Sequence, residues 1–439
     1  MQTVTQGGTA HILFHRSMRV SFSAALIGNV LYAACQWGIV AAIAKLGSPA
    51  NVGQLSLGLA ISGPVFMFTN LSLASVVATD VEQQFRLKSY VSVRLLTVFV
   101  AMCVIVMLTY MSKLRYVTVV TVLIISLSRA LDAVSDLHFG FLRRNDRLDL
   151  IAVTLIVNGV CSLVASTGLL WRTHNIVAAS LGYVIGSALA LIIVLWFCYS
   201  KDAVSLPNTE SLHIIDPPRN SVTIRTIILL SLPLGLSGTL SLLNVNIPRY
   251  FIQCFQNESI LGYFSAIAYP LVASDTIINA LGESSIVRLS AYYAMGRYSE
   301  FKGLMRKLSF TGLGIGLLGV AITAVLGKYI LSILYKPDYA QWNAAFICLA
   351  SVSVVKYYYV FFCTAFSAMR MFNMQFWLKL PGLLVMLLLS YIFIRNFGLM
   401  GAVWAVFASA IVDALSFAIG FNLKCSRIYK CSEEVQVSL

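Results

Sequence analysis

The sequence has few charged residues, few histidines and no paired cysteine motif. Only 11% of its 439 residues are charged, whereas 59% are hydrophobic, and the mean hydropathy is +0.84. The nine cysteines are scattered without a CxxC motif, the five histidines are dispersed, and no Walker sequence is present. The sequence therefore predicts no metal, no cofactor, no catalytic residue and no ATP hydrolysis by this chain, and so much apolar surface excludes a soluble domain.

The apolar stretches recur at the length of a membrane-spanning helix. An α-helix needs roughly 20 apolar residues to cross the bilayer, whereas a β-barrel would show alternating segments of about 10 residues. The sequence thus predicts an all-α polytopic membrane protein with about twelve transmembrane helices. The predicted spans are 20–44, 54–77, 90–111, 117–140, 150–170, 176–199, 226–252, 260–287, 308–332, 342–369, 377–396 and 398–424.

A polar, proline-containing stretch divides these spans into two sets of six. We predict an N-terminal six-helix bundle (1–199), a cytoplasmic linker (200–225) and a C-terminal six-helix bundle (226–439) around a central cavity. The segments VGQLS (52–56) and LGYFS (261–265) open the second helix of each set, and their glycines and serines are 209 positions apart. Parallel repeats of this kind are a known transporter architecture, with the substrate site between the halves.

Lysine and arginine in the loops predict the orientation. With a cytoplasmic N-terminus, the inner segments hold 21 of these residues and the outer segments 8, and Arg129 and Lys356 lie within helices. This asymmetry predicts that both termini are cytoplasmic. The net charge of +14 reflects this bias and attraction to anionic membrane lipids, so it does not indicate nucleic-acid binding.

Polar side chains form stripes on two helices of the second set. Asn244 lies on a stripe with serines and Pro248, and Asp275, Asn279 and Glu283 follow each other at intervals of four residues. Because a carboxylate near the bilayer centre costs roughly 2.5 to 3.5 kcal/mol, we expect Asp275 to face a bundle interior or an aqueous cavity.

Two further groups of charges lie inside predicted spans. Arg129, Asp132 and Asp136 share one helix face, where a structural ion pair and a substrate contact are equally good interpretations. Lys356 has no acid on its own helix, so it either bonds an acid from another helix or points into the cavity; the neighbouring Tyr359 favours the cavity.

Several segments resemble one known family. The segments are GNVLYAACQWGIVAAIAKLGSPANVGQLSLGLAISGPVFMFTNLSLASVVATD, DLHFGFLRRNDRLDLIAVTLIVNGV, NIPRYFI, LGYFSAIAYP and GRYSEFKGLMRK. They resemble the polysaccharide transport family of the multidrug/oligosaccharidyl-lipid/polysaccharide flippase superfamily, which includes O-antigen and capsule repeat-unit flippases. The similarity extends from about residue 28 to residue 307, and more loosely through GLMGAVWAVFASAIVDA.

The resemblance implies a non-enzymatic, alternating-access flippase in the bacterial cytoplasmic membrane. Its implied partners are a polyprenyl-diphosphate-linked oligosaccharide and membrane lipids, with a polysaccharide polymerase as a further candidate. A multidrug or cation exporter and a membrane-embedded polymerase or ligase are the alternatives, although the short outer loops disfavour an enzyme. Candidate residues of the substrate path are Arg129, Lys356, Tyr359, Arg249, Asn244 and Asn279. Candidates for ion coupling or structural pairs are Asp132, Asp136, Asp275, Glu283 and Asp413.

Overall fold

A computed structural model describes residues 18–79, 87–145, 147–199 and 224–437, and these residues form helices joined by short turns, without strands. The helices of the N-terminal half are α1 (Met18–Leu46), α2 (Pro49–Asn70), α3 (Leu73–Thr79), α4 (Leu87–Met111), α5 (Tyr116–Arg144), α6 (Leu148–Thr173) and α7 (Ile176–Tyr199). Those of the C-terminal half are α8 (Ile224–Phe255), α9 (Glu258–Ala294), α10 (Tyr298–Leu334), α11 (Asn343–Ala368) and α12 (Phe372–Val437), with a 3₁₀ turn at Pro337–Trp342 before α11. The predicted all-α class is confirmed.

The number of long apolar helices differs from the predicted number of membrane spans. Ten helices of the described residues are long and apolar enough to span a membrane, and one of them, Asn373–Lys424, has 52 residues. Gly398 interrupts it with φ 56° and ψ −128°, a conformation that favours glycine because it has no Cβ. The break falls between the predicted spans 377–396 and 398–424. The count of twelve stays a prediction, and most of the predicted linker lies outside the described residues.

The predicted span 54–77 lies within one candidate membrane span, Pro49–Ala78, but it is not one continuous helix. It is divided into α2 and α3 by Leu71 and Ser72, whose φ angles are 51° and 50°. The Arg94 side chain of α4 donates to the Asn70 backbone oxygen at 3.2 Å and to its Oδ1 at 2.5 Å. This arginine satisfies a carbonyl at the end of α2 that has no partner within the helix.

Helices α9 and α10 are longer than their predicted spans of 260–287 and 308–332. Each has 37 residues, and they meet at a turn containing Gly296 with φ 70°. Hydropathy ends a predicted span where charges such as Arg288 and Lys302 begin, but a helix continues through them because its backbone bonds are internal. The two helices therefore extend beyond the apolar layer.

Among the described residues, the hydrophobic core that both halves share lies at one end of the molecule. We call this end, with the turns at 46–48, 112–115, 256–257 and 335–336, the predicted outer end. Its core combines residues of both halves, including Ile39 and Leu55 with Leu261 and Leu331. At the opposite end, cores such as Leu289–Phe301–Phe366 and Leu71–Val77–Tyr90 belong to one half each.

Hydrogen bonds also join the halves at the predicted outer end. The Trp37 indole donates to the Tyr335 hydroxyl at 3.1 Å, and Lys336 Nζ donates to the Gly47 backbone oxygen at 2.5 Å. Tyr250 donates to the backbone oxygen of Ala60. These contacts join the two halves at this end. At the other end, each half packs around its own core.

The sequence repeat lies where α2 and α9 cross. An added Cβ on Gly53 would overlap the Glu258 backbone oxygen, and one on Gly262 would overlap the Pro49 backbone oxygen. Pro49 and Glu258 are themselves 209 positions apart, as are the helix-capping residues Ser48 and Asn257. The two halves therefore use equivalent positions against each other, as a pseudo-two-fold axis requires.

Candidate functional site

Six of the candidate residues gather around one cavity in the C-terminal half. The cavity has a volume of about 180 Å³ and lies between α8, α9, α11 and α12. The predicted site residues in its wall are Asn244, Arg249, Asp275, Lys356, Tyr359 and Asp413. Sequence spacing places these residues on four separate helices, and the fold brings them together.

Lys356 has an acid partner on a neighbouring helix. Its Nζ is 2.6 Å from Asp275 Oδ2, and the two side chains are 39% and 25% exposed. Of the two predicted environments of Lys356, the acid from another helix is present, and the side chain also lies in the cavity wall. The pair was not visible from local spacing because 81 positions separate its members.

Asp413 lies deeper in the same wall and is 4% exposed. The Tyr359 hydroxyl is 3.4 Å from Asp413 Oδ2, and Asn244 Nδ2 is 3.5 Å from the same oxygen. Gly382 of α12 packs directly against the other oxygen, Oδ1, so that an added Cβ would overlap it. Asp413, Tyr359 and Asn244 thus form a polar cluster that links α8, α11 and α12.

Arg249 lies in the same wall without an acid partner. Its Nη1 donates to the Val245 backbone oxygen and to Asn246 Oδ1, each at 3.0 Å, and its guanidinium carbon is 6.0 Å from the ring centroid of Phe264. No carboxylate lies within 4.0 Å of Arg249 in the described part of the chain. An arginine has five N–H donors, so this one retains donors for an anion.

The N-terminal half contributes a second arginine. Arg129 Nη1 is 3.7 Å from Asp132 Oδ2, and Asp132 also accepts from Asn158 Nδ2 at 3.0 Å. The predicted proximity of Arg129 and Asp132 is confirmed. Arg129 belongs to α5 of the N-terminal half and Arg249 to α8 of the C-terminal half, and Arg129 is not among the residues that line the cavity.

Asp136 has a different partner from its predicted neighbours. Its Oδ2 is 3.6 Å from Arg94 Nη2, and the Arg94 side chain is 0% exposed. Arg94 is not among the candidate residues from the sequence, and the structure buries it among α2, α4 and α5. Together with its bonds to Asn70, this pair ties three helices, which favours a structural role for Asp136.

Asn279 and Glu283 lie apart from this cluster. Both side chains are exposed on α9 and neither is among the residues that line the cavity. Their predicted stripe continues from Asp275 along the helix, but the cavity ends at Asp275. The roles of all these residues in transport stay predictions.

The fold is shared with solved transporters. An inward-facing multidrug resistance MATE family transporter of the MOP superfamily matches with a TM-score of 0.70 at 14% identity, over 94% of this chain and 99% of that chain. Its outward-facing counterpart gives a TM-score of 0.66 at 16% identity, over 94% and 96%. A MOP superfamily transporter from Pyrococcus furiosus with a binding pocket of reverse polarity gives 0.65 at 14% identity, over 94% and 95%. The molecule has the two-bundle fold of MOP superfamily transporters.

Sequence comparison identifies the family within that class. Residues 21–291 match the family described as polysaccharide biosynthesis protein, and the chain belongs to that family. It is also 27% identical over 398 residues to the capsular polysaccharide biosynthesis protein CapF of Staphylococcus aureus, covering 90% of this chain and 97% of that protein. The chain is therefore a polytopic membrane protein of the polysaccharide biosynthesis family, with the fold that MATE transporters share.

Proposed function

We propose that this protein moves lipid-linked oligosaccharide repeat units from the inner to the outer leaflet of the bacterial cytoplasmic membrane. The carrier lipid is a polyprenyl diphosphate, and the product supplies capsule or O-antigen assembly. Membership of the polysaccharide family and similarity to CapF over 90% of the chain support this substrate class.

A protein is needed for this step because sugars do not cross hydrocarbon unaided. Each hydroxyl that enters an apolar medium without a hydrogen-bond partner costs roughly 2–7 kcal/mol. A polar cavity hydrates the head while the lipid tail remains in the bilayer. An inside-negative potential also favours outward movement of an anionic head, by about 2.3 kcal/mol per charge per 100 mV.

The observation that carries the proposal is Arg249, an arginine without an acid partner in the wall of the cavity. Arg249 has no carboxylate partner within 4.0 Å among the described residues. Arg129 Nη1, in contrast, is 3.7 Å from Asp132 Oδ2. Arginine matches the oxygens of a phosphate with paired N–H donors. A diphosphate at Arg249 would neutralise the arginine that has no acid partner, whereas Arg129 is already paired with Asp132.

The shape of the molecule suits the loading step of this cycle. With both termini in the cytoplasm, the predicted outer end, where the halves are joined, faces outward. The separate cores of the two halves then face the cytoplasm. A substrate from the inner leaflet would then enter between them. A polysaccharide polymerase that receives the product is the partner that this direction of transport implies.

The test is the position of the substrate in cells that make a lipid-linked repeat unit. Deletion of the gene should leave the unit on the inner leaflet, protected from enzymes and lectins added outside, and the wild-type gene should restore surface polysaccharide. A unit that accumulates on the outer face and is only unpolymerised would instead indicate a polymerase or ligase. Unchanged polysaccharide with a raised sensitivity to drugs would indicate an exporter.

A further inference from the structure

A second and larger cavity lies between the two halves at the predicted outer end. It has a volume of about 940 Å³, and its walls are α2, the turn between α4 and α5, the end of α8 and the start of α9. It shares no lining residue with the cavity around Lys356. The transport site described above does not use it.

The wall of this groove changes from charged to apolar along its length. Lys113 and Arg115 lie at its mouth and are exposed, whereas Ile61, Val65 and Leu243 line its deeper part. Along α2 the lining extends from Ala50 to Val65, which at 1.5 Å per residue is about 22 Å. The groove therefore has the length and polarity gradient of a lipid in one leaflet.

The one acidic residue in the wall is already bonded. The two Glu258 oxygens accept from Gln54 Nε2 at 2.9 Å and from Thr118 Oγ1 at 2.5 Å, and the side chain is 7% exposed. Gln253, also in the wall, has a buried Oε1 without a hydrogen-bond partner. The exposed charge at the mouth is thus cationic, and an amide in the wall is left for a polar group of a ligand.

We propose that this groove binds an anionic glycerophospholipid of the outer leaflet, with its phosphate at Lys113 and Arg115 and an acyl chain along Ile61, Val65 and Leu243. A soluble anion would leave the apolar part of the groove exposed to water, and a zwitterionic lipid would neutralise the two cations less well. Because both halves form the wall, the bound lipid holds the outer end together.

The test is lipid retention by the full-length purified protein, measured by native mass spectrometry after addition of phosphatidylglycerol or phosphatidylcholine. The wild-type protein should retain phosphatidylglycerol preferentially. The double variant Lys113→Gln/Arg115→Gln should lose affinity by about fivefold for each cation removed. Lys45→Gln/Arg172→Gln is the matched control, since it removes two exposed cations outside the groove.

A further variant separates the headgroup from the chain. Leu243→Trp keeps both cations but fills the apolar part, so it should also reduce retention of phosphatidylglycerol. Thermal unfolding without added lipid checks that each variant is folded, and added phosphatidylglycerol should raise the midpoint for the wild type and the control but not for the groove variants.

Three results would overturn the proposal. The first is equal phosphatidylglycerol retention by the groove double variant and its control. The second is equal retention of phosphatidylcholine by the wild type. The third is displacement of the lipid by millimolar inorganic phosphate, which would indicate a site for a soluble anion. None of these measurements involves sugar transport, so they do not depend on the proposed function.

Discussion

At the scale of single residues, the charges of the C-terminal half divide into paired and unpaired groups. Lys356 and Asp275 neutralise each other at 2.6 Å, and Asp413 Oδ2 accepts from the Tyr359 hydroxyl and the Asn244 amide. Arg249 donates to the Val245 backbone oxygen and to Asn246 Oδ1 of its own helix, and among the described residues it has no carboxylate within 4.0 Å. The ion pair therefore orients α9 and α11, and the arginine has the unsatisfied donors that an anionic substrate needs.

The ion pair predicts a rescue between two variants. Lys356→Ala leaves a partly buried carboxylate without its cation, so it should destabilise the protein by about 1–3 kcal/mol, between the values for exposed and buried pairs. The combined Lys356→Ala/Asp275→Ala variant should recover most of this loss. The measurement is thermal unfolding of the purified protein together with its abundance in membranes.

Lys328→Ala is the control, because this lysine is exposed on α10 and should change neither quantity. Normal abundance of Lys356→Ala with complete loss of transport, not recovered in the double variant, would contradict the structural interpretation. That result would instead assign Lys356 to the substrate.

The sequence identified which charged residues are inside helices but not how they pair. Arg129 and Asp132 are three positions apart, so helical spacing alone predicts their contact. Asp275 is 81 positions from Lys356, and only the packing of α9 on α11 brings them together. Arg94 is not among the candidate residues from the sequence, because its burial depends on packing against α2 and α5.

At the scale of helices, the crossing of α2 and α9 is the closest approach between the halves. Gly53 and Gly262 have backbone on both sides with no room for a side chain. Small residues of this kind allow membrane helices to pack by backbone contact. The repeat thus encodes one symmetrical contact, with each half supplying the same positions.

Substitution of these glycines should separate the helices. Gly53→Ala or Gly262→Ala places a methyl group on a backbone oxygen, and the overpacking should cost about 1–3 kcal/mol. Thermal unfolding of the purified protein would measure the loss. Gly314→Ala is the matched control, since nothing lies within 4 Å of an added Cβ there; it should leave the midpoint unchanged or raise it. Equal midpoints for all three variants would contradict the close crossing.

Helix boundaries were predictable where the amino-acid composition changes along the chain. They were not predictable where only the backbone conformation changes. The break at Leu71 and Ser72 contains neither glycine nor proline, and its stabilising arginine comes from another helix. The break at Gly398 coincides with the start of the predicted span 398–424, and glycine accepts the positive φ found there. The sequence therefore predicts breaks that a residue type permits, but not breaks that tertiary contacts impose.

At the scale of the whole molecule, the fold is a pair of helical bundles joined at one end. The shared core and the hydrogen bonds from Trp37, Lys336 and Tyr250 all lie at the predicted outer end. Transport by alternating access requires these contacts to break while contacts form at the other end. Arg129 and Arg249 belong to different halves, so a substrate that bridges them would respond to this motion.

The most direct test of this account is the movement of a lipid-linked oligosaccharide across vesicles that contain only the purified protein. The fraction of substrate accessible to a membrane-impermeant glycosidase would be followed with time. We predict that the wild-type protein moves the substrate faster than it moves in protein-free vesicles. Arg249→Gln should lower this rate at least tenfold, because it loses a charge-assisted contact worth about 1.5–3 kcal/mol. Arg172→Gln, the control at an exposed site, should retain the wild-type rate. A wild-type rate equal to that of protein-free vesicles would contradict the flippase function, and an unchanged rate for Arg249→Gln would contradict the site.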